Sequence, residues 1–375
     1  MHRTIWVGLV LISGVPSLPL GVRMLADALG QGDEPQEVSV ESLGGKSFNR
    51  TIGGKSLLFA DFTDSAVTDQ GLRKIKGADK IQILVLTRTR IDGSGLASLE
   101  RFKSLEELYL AMTPVTAKNL KHLALCPSLR ELSLLHTNAD DDSLEVVGAL
   151  TKLETLNLAV TKIRGPGLKH LAGLTSLKEL YLFGNNVDDE SLKYLAGLKQ
   201  LELLDLNDAD VGDKGLAHLA PLVHLKYLRL DNSKVQGQGL KALQDCKKIE
   251  TLYIAPHASN AVYPQLARFS ALKKLFLDGE SLDDSGIETI GSLKQLRSLI
   301  LFSPKLNDRS LLKLKGCANL EELTLCGSGY TDRVIDALPS FPALKKLQIA
   351  ESKLTEEGIR KLKEKHPKLT VRFPK

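Results

Sequence analysis

Few side chains in this 375-residue sequence are spaced for bond-making chemistry, and each such set has a plainer use. His122, His170 and His218 are the residue type zinc prefers, but zinc needs its ligands gathered within about 2 Å of one ion, and these recur at even intervals. Asp140-Asp141-Asp142 and Asp188-Asp189-Glu190 are oxygen-rich like calcium loops. They are equally suited to helix starts, where a short acid accepts free backbone N–H groups, and that use is expected here. Cys126, Cys246 and Cys317 fall where apolar residues stand elsewhere and read as small core residues. Cys326 is expected on an outward face, and no two cysteines are placed for a disulfide. There is no phosphate loop with its lysine, no Gly-x-Ser-x-Gly elbow and no His-Glu-x-x-His helix. Gly44-Gly45-Lys46 and Gly53-Gly54-Lys55 read as turns. No enzyme, cofactor or metal is therefore expected. The remaining chemistry is recognition by contact, for which Tyr109, Tyr181, Phe183, Tyr227, Tyr253, Phe276 and Phe302 offer rings, and Asp205, Asn207, Arg229, Asp231 and Asp278 offer polar groups.

What must position these side chains is a repeat. Leu-x-x-Leu-x-Leu, with other apolar residues allowed in the leucine slots, begins at Leu57, Ile81, Leu105, Leu129, Leu153, Leu177, Leu201, Leu225, Ile249, Leu272, Leu296, Leu320 and Leu344. Every step is 24 residues except the one after Ile249, which is 23. The alternation predicts a short strand with one apolar face. Three residues beyond the last leucine stands a small polar residue, as in Thr89, Thr113, Thr137, Asn185 and Ser233, suited to bonding the backbone of the turn. A helix-capping type follows, as in Thr68, Asp92, Asp188, Asn260, Asp283, Asn307 and Thr355. After it an acid is frequent, as in Asp69, Asp141, Asp189, Asp332 and Glu356, expected to meet the positive end of the helix dipole. A two-turn amphipathic segment such as Gly167 to Leu174 returns the chain to the next strand.

This spelling resembles the leucine-rich repeat family, in particular the cysteine-containing repeats of F-box substrate receptors and still more the 24-residue bacterial variant common in planctomycete proteins. The resemblance implies an α/β fold: a right-handed solenoid of about thirteen repeats, with a concave parallel sheet and short convex helices. Neighbouring histidines of the even set, two strands apart, would then be separated by about 10 Å, too far to share one ion. Solenoid ends need caps. Residues 29–56 read as a linker and N-terminal cap containing a strand from Ser47 to Ile52, residues 57–368 as repeats, and residues 369–375 as a closing strand. Residues 1–28 read as a signal peptide, with a basic start, an apolar run from Thr4 to Val15 and small residues at Ala26 and Ala28. An uncleaved anchor is the alternative.

Composition agrees. Hydrophobic residues make up 43% and aromatics only 5%, with a net charge of +5 on 25% charged residues, which excludes a disordered chain. Four cysteines exclude a dense disulfide scaffold, and an exported chain without disulfides fits a bacterial source. By strand alternation, eight of the eighteen aromatics, the seven above and Phe59, point away from the core. Rings on a concave surface suit recognition. The expected function is therefore non-catalytic binding of a protein partner across the concave face by an exported, periplasmic, cell-envelope or secreted protein. A carbohydrate or cell-envelope ligand is one alternative; an F-box-like adaptor in ubiquitin-dependent turnover, suggested by the resemblance, is another. Nucleic acid is not expected, and membrane contact only if residues 1–28 stay attached. The short repeat from Ile249, with Pro256, His257, Tyr263 and Pro264, is an irregularity in the same region.

Overall fold

The computed structural model describes residues 37–254, 259–279 and 282–373. The expected signal segment at 1–28, and Pro256 and His257 of the short repeat, lie outside the described residues. Glu37–Lys375 forms one compact unit.

Fifteen strands lie in one open sheet in chain order, from Lys46–Ile52 to Thr370–Arg372. The first strand pairs antiparallel with Lys55–Asp61 through Gly53 and Gly54, whose φ angles of 56° and 82° suit a two-residue hairpin turn. All later pairings are parallel, each residue facing its counterpart in the next repeat: Leu108 faces Leu132, Leu132 faces Leu156, and Leu156 faces Leu180. Parallel neighbours need a crossover, which the convex segment of each repeat supplies. In the middle of the chain these segments are mostly tight 3-10 turns, as in Gly165–Gly173 and Glu190–Leu195; the longest α-helix among the described residues is Glu356–Lys365 at the end.

The leucine slots form one continuous core. All are buried except Leu344, which is partly buried near the C-terminal end. No repeat could bury this face alone, so stability is a property of neighbours.

In the first eight repeats the strand is followed by a left-handed residue two positions past the last leucine slot. Asp64, Arg88, Met112, His136, Val160, Gly184, Asp208 and Asn232 occupy it in successive repeats, with φ between 52° and 68°. The next residue locks the turn. The hydroxyls of Thr89, Thr113, Thr137 and Ser233 donate to leucine carbonyls three residues back, at 2.8, 2.6, 2.7 and 2.6 Å. Asn185 donates to Leu182 of its own repeat at 3.0 Å and to Leu158 of the preceding one at 2.8 Å.

Caps form at Thr68, Asp283, Asn307 and Thr355, whose side chains accept backbone N–H groups of the first helical turn. Asn260 differs from the sequence expectation: Ser259 is the capping residue there and Asn260 lies inside the turn. The following acid also does something else. Rather than serving its own short helix, it reaches the next repeat's backbone: Asp69 accepts Gly95 N–H at 2.7 Å, Asp141 accepts Arg164 at 2.6 Å, and Asp213 accepts Gly237 at 2.9 Å. One or two turns carry little macrodipole, so direct N–H groups are the stronger attraction. This close approach explains the glycine that several repeats carry at one position. A Cβ at Gly167 would lie 2.4 Å from Asp141 Oδ1, and one at Gly215 2.5 Å from Asp189 Oδ1.

Candidate functional site

Register fixes what shares the concave face. In a strand such as Tyr227–Leu230, the leucine slots point inward, and the residues between and just after them point away. Because pairing is in register, each outward position forms a row running across the sheet.

The first row, immediately after the first leucine slot, is an ion ladder. Glu106, Arg130, Glu154, Lys178, Glu202, Lys226, Glu250 and Lys273 alternate in sign from repeat to repeat. Glu154 meets Arg130 at 2.6 Å and Lys178 at 2.5 Å; Glu202 meets Lys226 at 2.6 Å and Glu250 meets Lys273 at 2.8 Å. Lys178, followed by Arg130, holds the Glu154 carboxyl below its ordinary range. Lys273 is followed by Arg297, so the alternation breaks there, and Arg297 turns to Glu321 at 2.5 Å.

The aromatic residues come together in the C-terminal half. Tyr227 and Tyr253 have ring centroids 5.7 Å apart, Tyr253 and Phe276 5.3 Å, and Phe276 and Phe302 5.5 Å. These four rings make one ladder over four consecutive strands. It runs obliquely, since Tyr227 precedes the middle leucine slot, Tyr253 and Phe276 follow it, and Phe302 follows the last. Ring pairs of this kind contribute about 0.5–1.5 kcal/mol each beyond area burial. The Arg229 guanidinium lies 5.4 Å from the Tyr253 ring centre.

Arg229 is held in place from one side. Its Nε and Nη2 donate to the two oxygens of Asp231 at 2.7 and 2.9 Å, and its Nη1 lies 3.6 Å from Asp205. Burial works against the Arg229 charge, but the bond to Asp231 and the charges of Asp231 and Asp205 outweigh it and raise its pKa. Asp231 is 2% exposed and Asp205 5% exposed. Burial pushes the Asp205 carboxyl up, although it accepts the Asn207 N–H at 3.0 Å. These two acids are thus spent within the protein, and the polar edge they give the ladder is the charge-balanced arginine.

Toward the N-terminus the face is acidic. Tyr109 donates to Glu107 at 2.8 Å and Tyr181 to Glu179 at 2.9 Å, each across one strand position. Two shallow grooves of about 610 and 510 Å³ lie off the sheet, along the left-handed turns, around Asp208 and Asn232 and around His136 and Val160. Among the described residues no group of three or more His, Cys, Asp or Glu is placed to hold a metal ion.

The family model described as Leucine Rich repeat matches residues 173–196 and 199–220. Those segments hold the same leucine slots and crossovers that the sheet repeats from end to end. The fold is a leucine-rich repeat solenoid. Among solved structures, an internalin of Listeria monocytogenes is 20% identical, with a TM-score of 0.64 over 84% of this chain and 87% of that one. A leucine-rich repeat protein of Leptospira interrogans is 20% identical, with a TM-score of 0.54 over 79% of each chain. TLR13, in complex with ssRNA13, is 18% identical, with a TM-score of 0.58 over 85% of this chain and half, 50%, of its own. At these identities the likeness is one of fold. No curated protein matches in sequence.

On this leucine-rich repeat sheet the residues singled out from sequence separate into groups. Tyr227, Arg229, Asp231, Tyr253, Phe276 and Phe302 form one cluster, with Asp205 behind it. Asp278 faces Phe302 in register at the cluster's far edge. Tyr109 and Tyr181 stand apart, each on its own glutamate, and Phe183 lies just beyond Tyr181 on the same strand line. Phe59 stacks on Phe48 of the N-terminal hairpin, with centroids 4.9 Å apart, and belongs to the cap. The glutamates were missed, although Glu-Leu-Tyr occurs twice at the same repeat position, at Glu107 and at Glu179.

Proposed function

We propose that this leucine-rich repeat protein is a non-catalytic recognition module that binds a protein across its concave sheet, with the Tyr227–Phe302 ladder as anchor. The observation carrying this reading is the ladder itself: four rings contiguous over four strands, on the face turned away from the core. Such rings are stiff, and the sheet below them is already ordered, so binding costs little conformational freedom. A few anchors, enriched in Tyr, Trp and Arg, dominate the binding energy of protein interfaces. Interplanar angles of 23° to 47° turn the ring faces largely toward one another. A sugar, which needs a free ring face, would find fewer of them than a side chain packing over the ring edges.

The apolar run at Thr4 to Val15 supports export. No helix among the described residues is long and apolar enough to cross a membrane.

The test is affinity capture by the full chain and by a Tyr253→Ala, Phe276→Ala variant. A protein retained by the first and lost by the second, with circular dichroism unchanged, is the expected result. Equal recovery by both removes the ladder from the binding site. Retention of envelope polysaccharide or single-stranded nucleic acid in place of a protein corrects the partner class.

A further inference from the structure

The N-terminal half of the concave face carries negative charge that the protein does not balance. Glu107 and Glu131 face each other in register on neighbouring strands, and the same row continues through Thr155 to Glu179. All three carboxylates are half-buried. The cations next in sequence to Glu131 and Glu179 are committed elsewhere: Arg130 to Glu106 and Glu154, and Lys178 to Glu154. Among the described residues no Lys or Arg pairs with Glu107, Glu131 or Glu179. Burial raises the Glu131 carboxyl's pKa and the charges of Glu107 and Glu179 raise it further, against the favourable influence of the nearby Tyr109 hydroxyl. The Tyr109 and Tyr181 hydroxyls fix one oxygen each of Glu107 and Glu179, leaving the other oxygens able to accept. At the boundary with the ladder, Arg229 is neutralised by Asp231 and Asp205, so its charge would not repel a positive ligand.

Resting on the concave-face reading above, we propose that the partner presents an extended polypeptide segment with two unlike ends. Its cationic end lies along Glu107, Glu131 and Glu179, and its apolar end packs on Tyr227, Tyr253, Phe276 and Phe302. From the strand Glu107–Tyr109 to the strand Ser298–Phe302 there are eight strand spacings. At about 4.8 Å each they span about 38 Å, which an extended chain covers in about eleven or twelve residues. The row of glutamates disfavours an acidic peptide or a nucleic-acid strand in the same place, because each would bring further negative charge to carboxylates already short of cations.

The test is a random library of peptides about twelve residues long, selected on three forms of the full chain. These are the natural sequence, a Glu107→Gln, Glu131→Gln, Glu179→Gln variant, and the Tyr253→Ala, Phe276→Ala variant. Glutamine keeps the side-chain shape and the tyrosine contacts while removing charge, and circular dichroism checks that each variant folds. The expected result is peptides enriched severalfold in Lys and Arg at one end and in apolar residues at the other. The glutamine variant should lose the basic bias, and the ring variant the apolar one. Peptides without basic bias that still depend on the rings overturn the cationic inference and leave the concave reading standing. Acidic enrichment overturns it as well. No enrichment over the ring variant overturns both.

Discussion

Asp332 accepts the backbone N–H of Thr355 at 2.8 Å and its hydroxyl at 2.7 Å, joining two repeats through one carboxylate 23 residues upstream. Thr355 in turn caps the last helix by accepting Gly358 N–H at 3.0 Å. The aspartate therefore holds a cap that holds a helix. Asp332→Ala is expected to cost about 2 kcal/mol, the scale of a hydrogen bond to a charged group, read as a shift in the urea midpoint. A Cβ at Gly358 would lie 1.9 Å from Asp332 Oδ1, so Gly358→Ala should cost a similar amount. The two losses should not add, because each breaks the same contact.

The ion ladder predicts a salt-dependent stability. Glu154 bridges Arg130 and Lys178, and its side chain keeps 29% of its surface exposed. Glu154→Gln should lower stability by about 1 kcal/mol at low ionic strength, two partly exposed pairs at the usual strength. In about 1 M salt, where screening reaches about 3 Å, most of the difference should vanish. A difference that salt leaves untouched would assign the loss to packing.

Val160 carries a branched side chain at φ 52°, a conformation that Asn232 holds in the same repeat position at 55°. Left-handed backbone disfavours Cβ branching, and asparagine tolerates it. Val160→Asn is therefore expected to raise the thermal midpoint, by about 1 kcal/mol of stability before any lost packing is deducted. A lower midpoint would show that the valine's contacts outweigh its backbone strain.

Glu131 gives a pH prediction of definite sign. Its folded pKa is raised above the ordinary 4.5, so the folded state binds its proton more tightly than the unfolded chain does. Its unfavourable effect is absent below pH 4.5 and grows as pH rises through the folded value. Glu131→Gln should thus be more stable than the natural protein at neutral pH and indistinguishable from it near pH 3, compared in thermal melts at each pH. A constant difference across that range would trace the effect to something other than ionisation.

The sheet could be read from sequence because the leucine slots obey a single spacing, and pairing in register follows from that spacing. The capping threonines and turn hydroxyls could be read because they act within three or four residues. The Asp332–Thr355 contact could not, since the acid looks like a helix-dipole residue until the next repeat is seen beside it. The ring cluster was visible as a set of outward aromatics. Its continuity was not, because the ladder changes row between Tyr227 and Tyr253 and again between Phe276 and Phe302. Asp205 and Asp231 looked like ligand groups because alternation turns them outward; Arg229, on the same face, closes over them. The ion ladder was hidden by reading charge along the chain, where Glu106 and Arg130 are 24 residues apart, instead of across it.

That ladder repeats every second unit, whereas the leucines repeat every one. His122, His170 and His218 follow the longer rhythm too. Removing a single 24-residue unit from the stretch between Glu106 and Lys273 would leave every leucine in its slot yet set like charges side by side. Removing two would preserve both patterns. Inside that stretch the smallest piece that can be added or removed without electrostatic conflict is therefore a pair of repeats, and the neighbouring cations Lys273 and Arg297 mark the joint where the alternation starts afresh.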